Sequence, residues 1–308
     1  MKKNILVIYF TQTGQARKAL DSVLAPFTNN PDYTVHYELI EPAVPFPHPW
    51  KYTEFFDAFP ENVQAIPCEL KPIKADMNLN YDLVFIAYQP WFLSICRPIL
   101  SFLVSPQAKQ LLKGKPVITI INCRNMWLNA QEKMKRRLLD VDAKLVGNIT
   151  FVDHSANLIS LVTVLAHVLK GEKGRYLGIF PKYGVNEKDI ANGQEFGKII
   201  VAHTQTNNWE SLQKELNAKG ALDIRGNLML MEGRGNALFP LYANYISKRG
   251  TAGSKQRRTR VRIFGIVLPT AILILSPVIT ILSRLAPLLA AGKFKKQIAY
   301  YSQNALKK

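Results

Sequence analysis

Five apolar runs of β type recur along the first half of the chain, and each is followed by a stretch of helical composition. The runs cover residues 5–10, 34–40, 82–88, 116–122 and 144–153. Runs without a polar face are typical of parallel strands that are buried on both sides. Strands that alternate with helices predict the α/β class with a doubly wound, five-stranded parallel sheet. Right-handed crossovers then predict the strand order 2-1-3-4-5, with a ligand cleft between the first and third strands.

The loop after the first predicted strand has the composition of a phosphate-binding turn. It contains two hydroxyls, two amides and one glycine, in the order Thr11, Gln12, Thr13, Gly14 and Gln15. The helix predicted over 15–27 directs its positive dipole end and its free N–H groups at an anion. This loop lacks the three spaced glycines of dinucleotide sites and the Gly-Lys-Ser/Thr of ATP sites, so a mononucleotide fits better. The alternative is that Thr11 and Thr13 only cap the helix.

The loops after the third and fourth predicted strands supply aromatic and cationic side chains beside that turn. Together they contribute Gln89, Pro90, Trp91, Phe92, Cys123, Arg124, Asn125 and Trp127. Aromatic side chains next to a phosphate site suit a flavin ring, because stacking buries the apolar faces of the ring. We expect Arg124 or Arg97 to lie near N1 and O2 of the ring and to stabilise its anionic reduced form. The alternative is that Trp91, Phe92 and Trp127 only anchor the loops on the core.

Two inserts, near 42–80 and 154–183, exceed what a five-stranded sheet of this type requires. The first is rich in proline and aromatic residues and is predicted to roof an apolar pocket. In the second, residues 157–169 are apolar on nearly every face, which predicts a helix that is buried or in contact with lipid. The histidines of the second insert, His154 and His167, are most simply interpreted as structural residues. If one acts as a general base, we expect it to be His154, which follows the fifth strand at the carboxyl edge of the sheet.

The net charge of +18 is distributed unevenly along the 308 residues. Residues 1–232 contain all 22 acidic side chains and 26 of the 40 basic ones, whereas 233–308 contain 14 basic side chains and no acidic one. This shift predicts a body at 1–232 and a basic, hydrophobic C-terminal region at 233–308, with a boundary that Gly233 and Gly235 loosen.

Within the C-terminal region, residues 263–282 form an uncharged apolar segment that follows a cluster of arginines and lysines. Twenty helical residues reach about 30 Å, the thickness of the hydrocarbon core of a bilayer. Pro269 and Pro277 are expected to interrupt the helix, and basic residues on both flanks favour no orientation for a single span. We therefore expect a re-entrant hairpin or a helix that lies in the interface, with a buried core or dimer helix as the alternative. Nucleic acid is not an expected partner, because the basic run lacks interleaved aromatic residues.

The cysteines and the start of the chain predict a cytoplasmic location at the inner face of the cytoplasmic membrane. Cys68, Cys96 and Cys123 are odd in number and lack the spacing of metal ligands, which favours free thiols in a reducing compartment. The chain enters a core strand almost at once, so we expect no targeting segment.

Segments 5–27, 82–105, 116–139 and 184–202 resemble the flavodoxin-like NAD(P)H:FMN oxidoreductase superfamily. The opening Tyr9-Phe10-Thr11-Gln12-Thr13-Gly14-Gln15, the length and the hydrophobic C-terminal region are similar to the dialkylresorcinol condensing enzymes. Ala16 departs from the flavodoxin pattern, which has a hydroxyl there, and removes one hydrogen bond to the phosphate. The resemblance implies FMN as cofactor, a lipid-like substrate and a ketosynthase partner.

The function that this resemblance implies is oxidation of an alkylated cyclohexanedione to a dialkylresorcinol in aryl-lipid biosynthesis. A base would remove the proton between the two carbonyls, FMN would accept the electrons, and enolisation would complete the aromatic ring. Two alternatives remain open: a membrane-associated NAD(P)H:quinone oxidoreductase, and a flavin-free scaffold that docks a lipid-pathway ketosynthase. A homodimer is compatible with each of them.

Overall fold

The fold is a doubly wound α/β sandwich around one parallel sheet, seen in a computed structural model. It describes residues 2–306, with the backbone alone for 279, 280, 282–291 and 293. The strands are β1 Lys3–Tyr9, β2 Tyr33–Leu39, β3 Leu83–Tyr88, β4 Pro116–Cys123 and β5 Lys144–Val152. They pair in parallel in the order β2-β1-β3-β4-β5, which confirms the predicted class and the order 2-1-3-4-5. Each apolar run of the sequence lies within two residues of an observed strand.

Twelve α-helices surround the sheet in the described part of the chain. They are α1 Gln15–Thr28, α2 Tyr52–Asp57, α3 Phe59–Val63, α4 Arg97–Leu103, α5 Pro106–Leu112, α6 Leu128–Asp140, α7 Asn157–Lys170, α8 Glu187–Ala191, α9 Gly193–Thr206, α10 Leu212–Ala218, α11 Gly226–Ser247 and α12 Arg258–Tyr301. Side chains alternate along a strand, so Ile5 and Val7 pack with α1, α9 and α10, whereas Leu6 and Ile8 pack with α4, α5 and α6. All four side chains are fully buried, which explains why the run has no polar face.

The first insert and the C-terminal region share a third hydrophobic cluster outside the sheet. Phe56 and Phe59 of α2 and α3 pack against Ala243 and Ile246 of α11 and against Phe264 of α12. The rings of Phe59 and Phe264 stack with their centroids 3.9 Å apart. The start of the C-terminal region is therefore packed on the insert.

The expected boundary near residue 232 lies inside a helix. Gly233 and Gly235 are part of α11, which runs without a break from Gly226 to Ser247, so they do not loosen the chain there. The buried Glu232 carboxylate accepts hydrogen bonds from the backbone N–H groups of Leu128 (3.1 Å) and Asn129 (3.4 Å). The division into 1–232 and 233–308 stays a prediction, and α11 is firmly attached to the start of α6.

The environment of helix α7 differs from one side of the helix to the other, whereas its sequence predicts a helix that is apolar on nearly every face. Its buried positions hold small or polar residues, namely Ser160, Thr163, Ala166 and His167. The Ser160 hydroxyl donates to the Asp153 carboxylate at 2.6 Å, which satisfies both groups inside the protein. Ile159 and Val162 are instead turned outward. The outward side of α7 is therefore apolar and lies beside α12.

Helix α12 lies across the body and contacts it near both ends. Its 44 residues extend about 66 Å at 1.5 Å per residue. Near its start Val261 is buried with Phe264, and near its end Phe294 packs against the core and the Tyr300 hydroxyl donates to Glu132. The helix continues through Pro269 and Pro277, so the expected interruption and re-entrant hairpin are wrong.

The segment Lys255–Val278 contains an 18-residue stretch with a mean hydropathy of 2.1, which is long and apolar enough to cross a membrane by length and composition alone. Because α12 contacts the body near both ends, this segment runs along the body. Among the described side chains of α12, the large exposed apolar ones are Ile263, Ile266, Val267, Leu273, Ile274, Leu275, Val278 and Ile281.

A buried ion network fixes the start of α12. The guanidinium of Arg257 has no exposed surface and contacts Asp57 Oδ1 and Glu61 Oε1, each at 2.6 Å. Its Nη2 also donates to the backbone carbonyl of Asp57 at 2.6 Å. Arg257 is therefore a link between the C-terminal region and the first insert, and it is unavailable to a membrane surface.

We expect Arg257→Ala to destabilise the protein by about 3 kcal/mol, because the buried Glu61 and the partly buried Asp57 then lose their cationic partner. The free energy of unfolding from chemical denaturation measures this. The matched control is Arg258→Ala, since Arg258 is the next residue and is exposed. Equal, small effects of both substitutions would show that the network does not hold α12 in place.

Candidate functional site

A cavity of about 270 Å³ lies at the carboxyl edge of the sheet, where the loops after β1, β3 and β4 meet. Nine of the residues predicted for a cofactor site line it: Gln12, Thr13, Gln15, Gln89, Pro90, Trp91, Phe92, Cys123 and Arg124. Thr11, Gly14 and Asn125 belong to the same loops but do not line the cavity. The three loops therefore converge where the strand order predicts, at the switch point of the sheet.

The loop after β1 has the backbone geometry of an anion-binding turn. Gly14 has a φ of +85°, in the left-handed region that favours glycine, and a Cβ built on it meets nothing within 4 Å. The Gly14 N–H donates to the Thr11 hydroxyl at 3.0 Å, which closes the turn directly before α1. The first turn of α1 contains no acidic residue, so the positive end of its dipole is not neutralised there.

Two amide side chains hold this loop from opposite sides. Gln12 Nε2 donates to the carbonyl of Pro47 in the first insert at 2.7 Å. Gln15 Oε1 accepts from the N–H of Val185 at 3.3 Å, and Gln15 Nε2 donates to the Val185 carbonyl at 3.4 Å. Gly184 has a φ of +86°, and a Cβ there would lie 2.5 Å from Gln15 Oε1. The two glutamines therefore position the loop between both inserts.

The aromatic wall of the cavity combines the loop after β3 with the first insert. The ring of Trp91 makes edge contacts with Phe46 and Trp50, at centroid distances of 5.1 and 6.1 Å. The ring centroids of Phe92 and Phe55 are 5.2 Å apart. The first insert thus supplies Trp50 and Phe55 to the lining, as the prediction of a roof requires.

The loop after β3 is strained at Phe92 and Leu93, which have φ values of +49° and +58°. They form the two-residue turn of a short hairpin, Pro90–Trp91 paired with Ser94–Ile95, and a turn of this type requires positive φ at both central positions. Lys133 Nζ donates to the Ser94 hydroxyl at 2.6 Å, and Asn62 Nδ2 donates to the Trp91 carbonyl. Strain of this kind persists where neighbouring groups hold the loop, which keeps Phe92 at the cavity.

Trp127 and Arg97, which were predicted to border the cofactor, do not line the cavity. Trp127 is 2% exposed and lies in the core, where its indole N–H donates to the Asp223 carbonyl at 3.0 Å, so the expectation that it borders a flavin ring is wrong. Arg97 donates to the carbonyls of Ile66 and Pro67, each at 3.1 Å, and holds the first insert instead of the cavity.

Arg124 is the cation of the cavity. Its Nη1 donates to the Asn157 carbonyl at the start of α7 at 2.9 Å. Burial lowers its pKa to about 10, opposed by the charge of Asp153, so the side chain stays cationic at neutral pH. The neighbouring Cys123 has its pKa raised well above the usual range by burial, which leaves a neutral and weakly nucleophilic thiol.

His154 does not line the cavity. It is exposed, with its ring nitrogens 3.5 Å from Asp189 Oδ2 and 3.4 Å from Asp223 Oδ2, and Arg225 Nη2 lies 2.6 Å from its Nδ1. Its position directly after β5, at the carboxyl edge of the sheet, is the predicted one, and its assignment as a general base stays a prediction.

The polar residues that sequence reasoning missed are Asn122, His48, His167 and Tyr183, all of which line the cavity. Both side-chain atoms of Asn122, both ring nitrogens of His48 and Nε2 of His167 are buried without a hydrogen-bond partner among the described residues. Buried polar atoms in native proteins almost always have partners. These atoms therefore indicate a polar ligand. A histidine in a proline-rich loop and one in an apolar helix give no local signal that would have identified them.

A second cavity of about 590 Å³, here called the apolar chamber, adjoins the first. The two share the lining residues Phe55, Pro90, Phe92, Cys123, Arg124 and Val164. The chamber is bounded by the apolar sides of α7, α11 and α12. Leu238 and Leu275 line it and are also 50% and 45% exposed, so its mouth opens on the outward apolar surface.

No protein-family model matches the chain, and no curated protein sequence matches it. Among solved structures it is similar to a flavoprotein in complex with FMN from Lactobacillus acidophilus, with 16% identity and a TM-score of 0.39, covering 49% of this chain and 93% of that one. It is also similar to the oxidised flavodoxin 1 from Bacillus cereus, with 11% identity and a TM-score of 0.37, covering 65% of this chain and 99% of that one. Similarities this distant add nothing to the argument. The flavodoxin-like topology is assigned from the strand order and the position of the loops.

Proposed function

We propose that the protein is an FMN-dependent oxidoreductase that oxidises a lipid-like alkylated cyclohexanedione to a dialkylresorcinol. The observation that carries this proposal is the junction of two cavities: a polar one at the switch point of a flavodoxin-like sheet, and the apolar chamber beside it. The first suits a flavin mononucleotide, and the second suits a hydrocarbon chain. Phe92 and Arg124 line both cavities.

The residues of the polar cavity fit FMN. The free N–H groups at the start of α1 and the Thr13 hydroxyl would hold the phosphate. Trp91 and Phe92 would contact the apolar faces of the ring. The unpartnered amide of Asn122 offers one acceptor and two donors to the polar edge of the ring. Arg124 would stabilise negative charge that develops on that edge or on an enolate substrate.

The reaction balances with FMN as the two-electron acceptor. A cyclohexanedione loses two hydrogen atoms, as two protons and two electrons, and becomes a diketone with one further C=C bond in the ring. Enolisation then yields the aromatic diol without further oxidation. Bound FMN supplies the capacity to accept the electrons, and dioxygen or a quinone would reoxidise it. The chain's own part is to exclude water through its aromatic wall and to hold the diketone near Arg124.

The apolar chamber would hold the alkyl chain of the substrate. Its wall consists mostly of side chains of α7, α11 and α12 such as Leu165, Phe239 and Ile272. Burial of each CH2 group contributes about 0.8 kcal/mol, so a chain of several carbons gains substantial affinity there. The polar ring of such a substrate would then remain at the junction of the two cavities, beside Phe92 and Arg124.

The outward surface around the mouth of the chamber suits the cytoplasmic face of a membrane. Apolar side chains of α12 are exposed there, and exposed cations such as Lys255, Arg258 and Arg262 lie near its start. A helix that lies in the plane of the membrane binds an anionic lipid surface in two ways. Its apolar face is buried among the lipids, and the cations at its flank are attracted to the headgroups. Because α12 contacts the body near both ends, we propose that it lies in the interface. A ketosynthase partner and a homodimer stay predictions.

We expect the protein to bind anionic vesicles, and we expect the double variant Arg258→Gln with Arg262→Gln to bind about 30-fold more weakly. Each cation near such a surface contributes about 1 kcal/mol, and two are lost. Flotation with phosphatidylserine-containing vesicles measures the partition. The control is Lys109→Gln with Lys113→Gln, which removes the same charge from exposed positions at α5. No flotation of the unaltered protein, or an equal loss in both double variants, would contradict the proposed surface.

We expect Ala271→Trp to lower kcat/KM for long-chain cyclohexanediones about tenfold or more and to leave short-chain analogues nearly unaffected. Ala271 lines the chamber, so an indole there would displace at least two CH2 groups of the chain. Thr270→Trp is the matched control, since Thr270 is exposed and does not line the chamber.

An equal loss for short and long chains would contradict the role of the chamber. Absence of any turnover of cyclohexanediones, together with NAD(P)H-dependent reduction of quinones, would contradict the proposed reaction and favour a quinone reductase.

A further inference from the structure

We propose that His48 and His167 form the cationic part of the phosphate site and that binding of a phosphomonoester protonates this pair. The inference rests on the proposed function, because the phosphomonoester there would be that of FMN. It adds a property that the turn before α1 does not have by itself: affinity for the ligand that depends on pH. It also gives a chemical role to the buried His167 and the half-buried His48, which lie outside the predicted site residues.

The backbone brings both histidines to the loop after β1. His48 follows Pro47, whose carbonyl accepts the hydrogen bond from Gln12 at 2.7 Å. His167 stacks on Tyr183 with a centroid distance of 3.4 Å, and the next residue, Gly184, packs on Gln15. The centroids of the two imidazole rings are 4.7 Å apart. The pair therefore lies beside the turn at the start of α1, the phosphate end of the cavity.

The ring nitrogens of the pair are available to a ligand. His167 is 4% exposed, and its Nδ1 lies 2.7 Å from the carbonyl oxygen of Glu172, so Nδ1 carries the hydrogen. That contact leaves Nε2 with a lone pair in the neutral ring and with a donor N–H in the cation. Nε2 of His167 and both nitrogens of His48 have no partner among the described residues, and both side chains line the cavity. An anion beside the pair, at the edge of both rings, would offer these nitrogens a partner.

The charges around the pair determine the direction of the pH effect. Burial lowers the pKa of His167, the hydrogen bond to the Glu172 carbonyl opposes this shift, and the charges of His48 and Lys173 lower the pKa further. Burial, followed by the charge of Lys173, also lowers the pKa of His48. The other charged or titratable groups near the pair or on the same cavity wall are Glu172, Tyr183, Asp153 and Arg124. Both imidazoles are therefore neutral in the free protein at neutral pH.

A phosphate dianion reverses this preference, because it stabilises an adjacent imidazolium. The pKa of the pair is then higher in the complex than in the free protein, and binding takes up a proton. Affinity consequently rises as the pH falls through the pKa of the complex, and it levels off below the pKa of the free protein. Each unit by which binding raises the pKa adds about tenfold to the affinity.

The test compares FMN with riboflavin, which carries the same ring without a phosphate. Flavin-free protein is titrated with each between pH 8.5 and about 6.5, a range that keeps the ligand phosphate mostly dianionic. Quenching of flavin fluorescence gives the dissociation constants. We expect the affinity for FMN to rise about tenfold over this range and the affinity for riboflavin to stay constant.

His48→Gln and His167→Gln, made separately, should each flatten the pH dependence for FMN and leave binding of riboflavin unchanged. His36→Gln is the control, since His36 lies on β2 and its Nε2 bonds to Asn4. The comparison of FMN with riboflavin needs only the unaltered protein, so a variant that fails to fold does not decide the outcome.

Identical pH dependence for FMN and riboflavin in the unaltered protein would overturn this inference and leave the proposed function intact. Unchanged FMN binding in both variants with loss of turnover would assign the histidines to proton transfer and would also overturn it. Failure to bind FMN at any pH would contradict the proposed function itself.

Discussion

The parallel pairing of β1 with β2 on one side and with β3 on the other is the constraint on which the site depends. Tyr9, the last residue of β1, pairs with Leu39 and with Ala87. The connections that leave β1 and β3 pass over opposite faces of the sheet, so no helix covers the end of β1. A cleft opens there, and the start of α1 directs its N–H groups into it. The phosphate turn, the aromatic wall and Arg124 all meet in this cleft because the sheet leaves it open.

The two parts that a minimal sheet of this type does not need act together. The first insert supplies His48, Trp50 and Phe55 to the polar cavity, and its α2 and α3 form the platform on which α11 and α12 pack. Arg257 joins this platform to α12 through Asp57 and Glu61. Side chains of α7, α11 and α12 enclose most of the apolar chamber beside this platform. The cationic C-terminal region thus lines the proposed substrate site and also carries the surface proposed to face a membrane.

The elements of the sheet were predictable from sequence because each strand is buried on both faces and leaves a continuous apolar run. The loops of the site followed from strand order alone. The orientation of individual side chains in those loops could not be predicted from the strand order. Trp91 and Trp127 look equivalent in sequence, but the indole N–H of Trp127 finds a buried carbonyl at Asp223 and turns into the core.

Long-range contacts account for the other differences. Arg257 belongs to a basic run, yet two carboxylates about 200 residues earlier in the chain bury it. His167 lies in a helix whose apolar composition suggests lipid, and its role depends on Tyr183, Glu172 and a loop more than 100 residues away. Gly233 and Gly235 lie inside α11, where Leu93 of the distant loop after β3 approaches Gly235 so closely that a Cβ would lie 2.7 Å from its Cδ1. No local pattern encodes such contacts.

The flavin content of the full-length protein purified in detergent tests the central claim most directly. We expect a yellow protein with the visible absorption of an oxidised flavin, one FMN per chain on extraction, and bleaching when a cyclohexanedione is added without dioxygen. A folded, colourless protein that takes up no FMN on incubation would contradict it.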